Sequence, residues 1–324
     1  MRNSPILIVH GEPNSIFSEI LFKTYKKKII QKFNRPIVLI GSENLLKLQM
    51  KFLKYSLKIR KISAIELKKK NLNKKFINIV NVEHKFKKVF GKISNNSNKY
   101  INNCFNIAFK IIKSGYTHKF INGPINKKTF LNKKFLGITE YVASKFNIKE
   151  TGMLIYNNEI SVCPLTTHLP LKLVPKKITK KLIENKIKII NDFFKKKLKL
   201  IPMIGVTGLN PHCESINKFN EDEKIVTPAI KSSIKKKIKV KGPFSADTIF
   251  LKTNRNKFNV ILGMYHDQVL APLKTLFEYN AINITMGLPF FRVSPDHGPN
   301  EKMFGKNKSN PKSLIQALKF LDKK

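Results

Sequence analysis

The sequence contains no tryptophan, little cysteine and no long apolar run. Its three cysteines in 324 residues are too few, and odd in number, for a secreted fold held together by disulfides. The longest uncharged runs, 200–213 and 279–291, have 14 and 13 residues, fewer than the roughly 18 that a membrane-spanning helix needs. The apolar stretch at 5–9 is too short for the core of a signal peptide. These absences predict a soluble, cytoplasmic protein that does not contact a membrane.

Acidic residues and arginine are also scarce. Lys and Arg total 63 against 20 Asp and Glu, a net charge of +43, yet only five of the basic residues are Arg. Proteins that read bases or phosphates in a fixed geometry rely on the planar fork of arginine. The lysines are spread along the chain and accompany many Ile, Asn and Phe residues, as A/T-rich codons would produce. We therefore expect no specific nucleic-acid partner, although a basic nucleic-acid-binding protein stays open as the alternative of another class.

Strand-like and helix-like segments alternate along the first part of the chain. Short β-branched runs occur at 5–10, 35–41 and 77–82, and apolar residues recur at helical spacing between Ile101 and Ile112. This alternation is typical of an α/β fold with a largely parallel sheet.

The middle of the chain departs from this strand–helix alternation. The runs at 153–156 and 160–165, separated by two asparagines, predict an antiparallel hairpin. This change places a domain boundary near residue 130.

Three of the seven histidines follow apolar, strand-like runs: His168, His212 and His266. Because ligands collect at the carboxyl ends of parallel strands, three imidazoles delivered there could hold a divalent transition metal and leave a position open for substrate. The alternative is that each histidine makes only a local hydrogen bond.

A second set of polar residues indicates a site for an anionic substrate. Lys274, Asn283 and Arg292 lie in otherwise apolar segments, and a buried arginine there requires an anionic partner. That partner is either a carboxylate or phosphate ligand or a structural acid such as Asp296. Asp247 and Asp267 are candidates for general acid–base catalysis or for orienting metal ligands.

The order of these motifs resembles the 4-hydroxythreonine-4-phosphate dehydrogenase family of vitamin B6 biosynthesis. The matching segments cover nearly the whole chain: GEP at 11–13, NGPINK at 122–127, GITE at 137–140, TTHLP at 166–170, GLNPHCE at 208–214, GPFSADTIF at 242–250, MYHDQ at 264–268, NITMGLPFFR at 283–292 and DHG at 296–298. No Gly-x-Gly-x-x-Gly or Walker A motif is present, so the sequence shows no standard nucleotide-binding loop.

The resemblance implies an NAD-dependent (or NADP-dependent) oxidation of 4-phosphooxy-L-threonine, followed by decarboxylation to 3-amino-2-oxopropyl phosphate. A related dehydrogenase of another phosphorylated four-carbon hydroxy acid is the alternative. The implied fold is the two-domain α/β fold of isocitrate and isopropylmalate dehydrogenases, with an active-site cleft between the domains. One domain would comprise residues 1–130 plus about 300–324, and the other, 131–299, would carry the metal site and dimer contacts.

The resemblance also assigns residues. It makes His168, His212 and His266 ligands of one Zn, Mg or Co ion, in a metal site shared between the subunits of a homodimer. Thr139, Lys274, Asn283 and Arg292 would contact the small phosphorylated substrate, and the cofactor-binding residues stay unassigned. The chain departs from the family pattern in three places: Ile138 stands where the family has histidine, and the segments 14–17 and 299–304 lack the family's residues.

Overall fold

The chain divides into two compact units, residues 1–148 with 288–324 (unit 1) and residues 149–287 (unit 2). The structure is a computed structural model, and it describes residues 4–63, 67, 72–131, 134–135, 137–216, 219–295 and 298–324. No helix among these residues is long and apolar enough to cross a membrane.

Short strands alternate with helices through most of the chain. The strands are β1 (Ile6–Val9), β2 (Ile37–Gly41), β3 (Ile59–Lys61), β4 (Ile77–Asn81), β5 (Lys119–Asn122), β6 (Gly152–Tyr156), β7 (Ser161–Pro164), β8 (Ile204–Thr207), β9 (Val240–Phe244), β10 (Val260–Gly263), β11 (Ile282–Met286) and β12 (Phe291–Ser294). The α-helices are α1 (Phe17–Lys26), α2 (Glu43–Phe52), α3 (Asn98–Lys113), α4 (Ile138–Ser144), α5 (Val174–Lys177), α6 (Lys180–Phe193), α7 (Thr227–Lys235), α8 (Lys252–Arg255), α9 (His266–Phe277) and α10 (Lys312–Lys323).

Unit 1 contains parallel strands in the order β3-β4-β2-β1-β5-β12. Both faces of β1 and β2 are buried, which is why these strands read as continuous apolar runs. The predicted helical stripe is confirmed, since Ile101, Phe105 and Ile112 lie on α3 and are buried in the core of this unit. Phe105 is central there because its ring contacts Phe120 and Phe130.

Unit 2 has a mixed strand order, β11-β6-β7-β10-β8-β9. β6 pairs antiparallel with β7 and β11, whereas β7, β10, β8 and β9 run parallel. The predicted hairpin at 153–165 is therefore confirmed, and so is the α/β fold class.

The observed boundaries differ from those expected at 130 and 299. Residues 137–148 and 288–295 belong to unit 1 because their apolar side chains pack into its core. Phe146 contacts both Phe290 and Phe109, with ring centroids 4.7 and 5.3 Å apart, and Tyr141 packs on Phe105. Aromatic contacts between distant segments set this division, and composition does not reveal such contacts.

The loops after β1 and β5 approach each other closely. Gly123 donates its N–H to Val9 O, and Glu12 donates its N–H to Pro124 O, each at 2.8 Å. A Cβ atom on Gly123 would lie 2.2 Å from the backbone oxygen of His10. Only glycine fits at this position without moving a backbone.

The substitution Gly123→Ala is expected to lower the free energy of unfolding by roughly 1–3 kcal/mol, since the clash is with backbone that must shift. Urea denaturation followed by circular dichroism measures it. Gly298→Ala is the matched control because a Cβ there meets nothing within 4 Å. Equal stability of the two variants would contradict the close approach.

Candidate active site

The carboxyl ends of four neighbouring parallel strands in unit 2 carry the predicted metal-site residues. His168 follows β7, His212 follows β8, and His266 begins α9 after β10. Asp247 follows β9. Because β7, β10, β8 and β9 are adjacent and parallel, these side chains project from the same edge of the unit.

His168 and His266 are neighbours. Their ring centroids lie 5.8 Å apart. Asp267, which is exposed, places its Oδ1 2.7 Å from Nδ1 of His266. A carboxylate at this nitrogen holds the proton on Nδ1 and leaves the Nε2 lone pair for a ligand.

His212 has different partners. Its Nδ1 lies 3.4 Å from Oγ of Ser245. The same serine hydrogen bonds to Asp247, and this bond is the largest cause of the lowered pKa of the Asp247 carboxyl. The backbone N–H of Asp247 and the nearby His212 act in the same direction, while desolvation opposes them. Among the described residues of one chain, no group of three His, Cys, Asp or Glu side chains is arranged to hold a metal ion. The three-histidine ligand set therefore stays a prediction.

Two of the three histidines have left-handed backbone conformations. His168 has φ 54° and His212 has φ 55°. Such values are uncommon outside glycine and cost free energy, and they cluster at functional sites. The backbone of the TTHLP and NPHCE segments therefore turns in the left-handed conformation at the histidine itself, which an extended strand end does not do.

A buried carboxamide joins two of these strand ends. Gln268 accepts hydrogen bonds from Met264 N at 2.7 Å and from Thr207 Oγ1 at 2.8 Å, and its Nε2 donates to Gly208 O at 2.7 Å. It links the start of the His212 loop to the start of the His266 loop. Gln268 belongs to the MYHDQ motif, but its supporting role does not follow from the motif alone.

The His212 loop has a second buried support. Asp222 accepts hydrogen bonds from Leu209 N at 2.6 Å and from Asn210 N at 3.0 Å, and it is almost fully buried. These bonds give a partner to the first two backbone N–H groups of the loop that leads to His212. No sequence signal marked Asp222, because it lies ten residues beyond the histidine and outside the GLNPHCE motif.

The predicted anion-binding residues fall in both units, and two of them meet in unit 1. Arg292, on β12, is 1% exposed. Its Nε donates to Asn122 Oδ1 at 2.8 Å and its Nη1 to Thr139 Oγ1 at 3.2 Å. Burial lowers the pKa of Arg292 to about 10, while Glu140 acts in the opposite direction. Asp296, the alternative partner, lies outside the described residues.

Lys274 and Asn283 lie in unit 2, on α9 and β11. Burial lowers the pKa of the Lys274 ammonium. The Oδ1 atom of Asn283 is buried without a hydrogen-bond partner among the described residues. Both residues are half-buried.

The carboxyl end of β1 carries further buried titratable groups that the sequence motifs did not single out. In the strand order, β1 lies between β2 and β5. The chain therefore continues to one side of β1 after that strand and to the other side after β5. In α/β sheets, ligands usually bind at the carboxyl ends of the strands where this change of direction occurs. Burial lowers the pKa of His10 to about 4 and raises that of Glu12 to about 7. Glu12 Oε1 accepts from Asn14 N at 3.2 Å.

Comparison with known proteins identifies relatives along almost the whole chain. The family model of the pyridoxal phosphate biosynthetic protein PdxA matches residues 32–321. A 4-hydroxythreonine-4-phosphate dehydrogenase from a Sulfurihydrogenibium species is 36% identical and covers 97% of this chain and 96% of the relative. A D-threonate 4-phosphate dehydrogenase from Salmonella typhimurium is 28% identical and covers 99% of this chain and 98% of the relative.

Solved structures with a similar fold include members of the same enzyme family. The crystal structure of 4-hydroxythreonine-4-phosphate dehydrogenase from Klebsiella pneumoniae superposes with a TM-score of 0.87 at 25% identity, covering 98% of both chains. An isocitrate dehydrogenase from Methylococcus capsulatus superposes with a TM-score of 0.50 at 9% identity, covering 98% of this chain and 84% of the other. The second likeness is one of fold alone, and it agrees with the expected isocitrate dehydrogenase-like α/β fold.

Glu12→Gln is expected to stabilise the protein at pH 8 by roughly 1–3 kcal/mol and to have little effect near pH 4.5. The folded-state pKa of Glu12 lies above its value of 4.5 in the unfolded chain. Its contribution to stability is therefore fully present below pH 4.5 and is lost as the pH rises through about 7. Glutamine keeps the neutral form at all pH values.

Denaturant unfolding at both pH values measures this difference. Glu159→Gln, at an exposed glutamate, is the control and should change stability by less than about 0.5 kcal/mol at either pH. A pH-independent effect of Glu12→Gln would show that folding does not raise the pKa of Glu12.

Proposed function

Because the chain belongs to the PdxA family of pyridoxal phosphate biosynthetic proteins, we propose that it is a 4-hydroxythreonine-4-phosphate dehydrogenase. It is a dehydrogenase that oxidises the secondary hydroxyl of 4-phosphooxy-L-threonine with a nicotinamide cofactor, in our proposal NAD. The β-keto acid then loses carbon dioxide to give 3-amino-2-oxopropyl phosphate. The family match over residues 32–321 carries this conclusion.

The donor set in unit 2 fits a divalent metal ion. The imidazoles of His168 and His266 lie side by side and are accessible, and imidazole suits zinc and cobalt. We assign His168, His212 and His266 as the ligands. A bound metal ion supplies a Lewis acid for the substrate's hydroxyl oxygen and for the enolate that decarboxylation produces.

Two copies of the chain complete this centre in our proposal. The described residues of one chain do not bring three suitable ligands together, and His212 is occupied with Ser245 rather than with the other two histidines. A homodimer in which a second copy supplies the missing imidazole satisfies the usual ligand number.

The polar residues around these histidines position protons. Asp267 keeps the proton of His266 on Nδ1, and Ser245 bridges His212 and Asp247. Asp247 and Asp267 are both exposed, so either can exchange a proton with solvent. We assign these two aspartates to proton transfer or ligand orientation.

Cationic side chains bind the substrate's anionic groups. In unit 1, Asn122 fixes Nε of Arg292 and so orients the guanidinium plane, with Thr139 at the same position. In unit 2, Lys274 and Asn283 offer an ammonium and an amide. Arginine and lysine suit a phosphate and a carboxylate through charge-assisted hydrogen bonds.

The second candidate is oxidation of a different phosphorylated four-carbon acid. The relative named D-threonate 4-phosphate dehydrogenase covers the chain as fully as the others, and Ile138 replaces the family's histidine beside Thr139. Turnover of D-threonate 4-phosphate in place of 4-phosphooxy-L-threonine would favour this candidate.

Incubation with 4-phosphooxy-L-threonine and NAD should produce NADH, measured by absorbance. A chelator should abolish turnover, and zinc, magnesium or cobalt should restore it.

Elemental analysis of His212→Ala should show loss of bound metal, because a ligand is missing. His118→Ala, at an exposed histidine of unit 1, should keep its metal. Equal metal content in both variants would overturn the ligand assignment.

Ile138→His should raise kcat/KM for 4-phosphooxy-L-threonine by about ten- to a hundredfold. The imidazole restores a hydrogen bond to a charged group, worth roughly 1.5–3 kcal/mol. Steady-state kinetics measures the effect.

Ile148→His is the matched control, because Ile148 packs at the edge of the same core as Ile138 but does not adjoin Thr139. It should leave kcat/KM unchanged. No gain from Ile138→His would mean that the pocket is built around an aliphatic side chain, and the second candidate would then lead.

A further inference from the structure

A cavity of about 300 Å³ opens beside β9, at the edge of the strand order of unit 2. Its wall is apolar, formed by Met203, Phe244, Ile249 and Phe258, and two lysines, Lys241 and Lys257, lie among its lining residues. Among the residues that the structure describes, no histidine lines it, and neither does any residue assigned above to metal or substrate. Its volume lies at the lower end of the roughly 300–1,000 Å³ typical of small-molecule sites.

Part of the apolar wall of the cavity packs on β8. At Gly205, on β8, a Cβ atom would lie 3.1 Å from Phe258 and 3.2 Å from Ile249, so both side chains rest directly on the strand. The rings of Phe244 and Phe258 are 5.3 Å apart and inclined by 59°. Met203 and Phe244 stay half-exposed although they belong to the edge of a hydrophobic core. An aromatic ring placed here would cover that exposed apolar surface.

The mouth of the cavity is positively charged. Lys241 and Lys257 are both exposed. Nζ of Lys257 lies 3.3 Å from Asn254 Oδ1, and Nδ2 of that asparagine donates to Thr248 O at 3.0 Å, which holds this lysine at the cavity. None of the described residues that line the cavity is acidic. An anionic group at the mouth would therefore meet two ammonium groups without a competing carboxylate in the lining.

We propose that this cavity binds a small aromatic anion, a single ring that carries one phosphate or carboxylate. The ring packs against Phe244 and Phe258, and the anionic group lies between Lys241 and Lys257. Phosphorylated pyridine rings, the class to which pyridoxal phosphate belongs, have both features. The site is additional to the proposed dehydrogenase function and does not depend on it.

Isothermal titration of the full-length protein with phenyl phosphate tests the proposal. One saturable site per chain is expected. The double variant Lys241→Gln with Lys257→Gln should weaken binding about tenfold or more, since two charge-assisted contacts are lost. The control is the double variant Lys235→Gln with Lys237→Gln, at exposed positions of unit 2 outside the cavity. It removes the same total charge and should bind phenyl phosphate as the unmodified protein does.

Competing ligands distinguish this cavity from the catalytic site and from general attraction to positive charge. Inorganic phosphate and benzyl alcohol should each bind at least tenfold more weakly than phenyl phosphate, because inorganic phosphate lacks the aromatic ring and benzyl alcohol lacks the anionic group. Benzoate reports whether a carboxylate replaces the phosphate. An excess of 4-phosphooxy-L-threonine should not displace phenyl phosphate, and the cavity variant should keep its kcat/KM.

Several outcomes would overturn the proposal. Equal binding of inorganic phosphate and phenyl phosphate, or equal weakening by both double variants, would show attraction to the general positive charge. Displacement by 4-phosphooxy-L-threonine would place the ligand in the catalytic site. Absence of binding would leave the cavity without a ligand of this class.

Discussion

The candidate metal centre depends on the three hydrogen bonds of the Gln268 carboxamide. They join the ends of β8 and β10, from which the loops of His212 and His266 start. Without this side chain, Met264 N–H and Gly208 C=O would lose a buried partner, at a cost of about 1–3 kcal/mol each. Asp222 satisfies the next turn of the His212 loop in the same way. Buried polar bonds thus hold exposed imidazoles in place.

The candidate functional residues differ in solvent exposure between the two units. In unit 2, the histidines and their aspartates lie at the surface, where a ligand and a proton can reach them. In unit 1, Arg292 is buried and held by Asn122 and Thr139. Burial strengthens its interaction with an anion because the local dielectric is low. The net charge of +43 adds a long-range attraction for anions in general.

Local patterns were sufficient for most of the elements. The helical stripe of α3 and the hairpin of β6 and β7 were predictable because burial imposes periods of 3.6 and 2 on the residues themselves. The positions of the three histidines at strand ends were predictable for the same reason. The supporting residues were not: Ser245 lies 33 residues from His212, and Asn122 lies 170 residues from Arg292. No local pattern relates positions that far apart.

The sequence by itself determined the fold class and the family, since these follow from composition, periodicity and motif order. It also named the candidate metal- and anion-binding side chains, which stay predictions. The tertiary structure decided where the units divide, because Phe146 and Phe290 meet only after the chain has folded. It also decided the environment of each candidate residue. Asp267 faces His266, whereas His212 faces Ser245. Parallel strand register sets which loops are neighbours, and it arises from long-range packing that no single segment encodes.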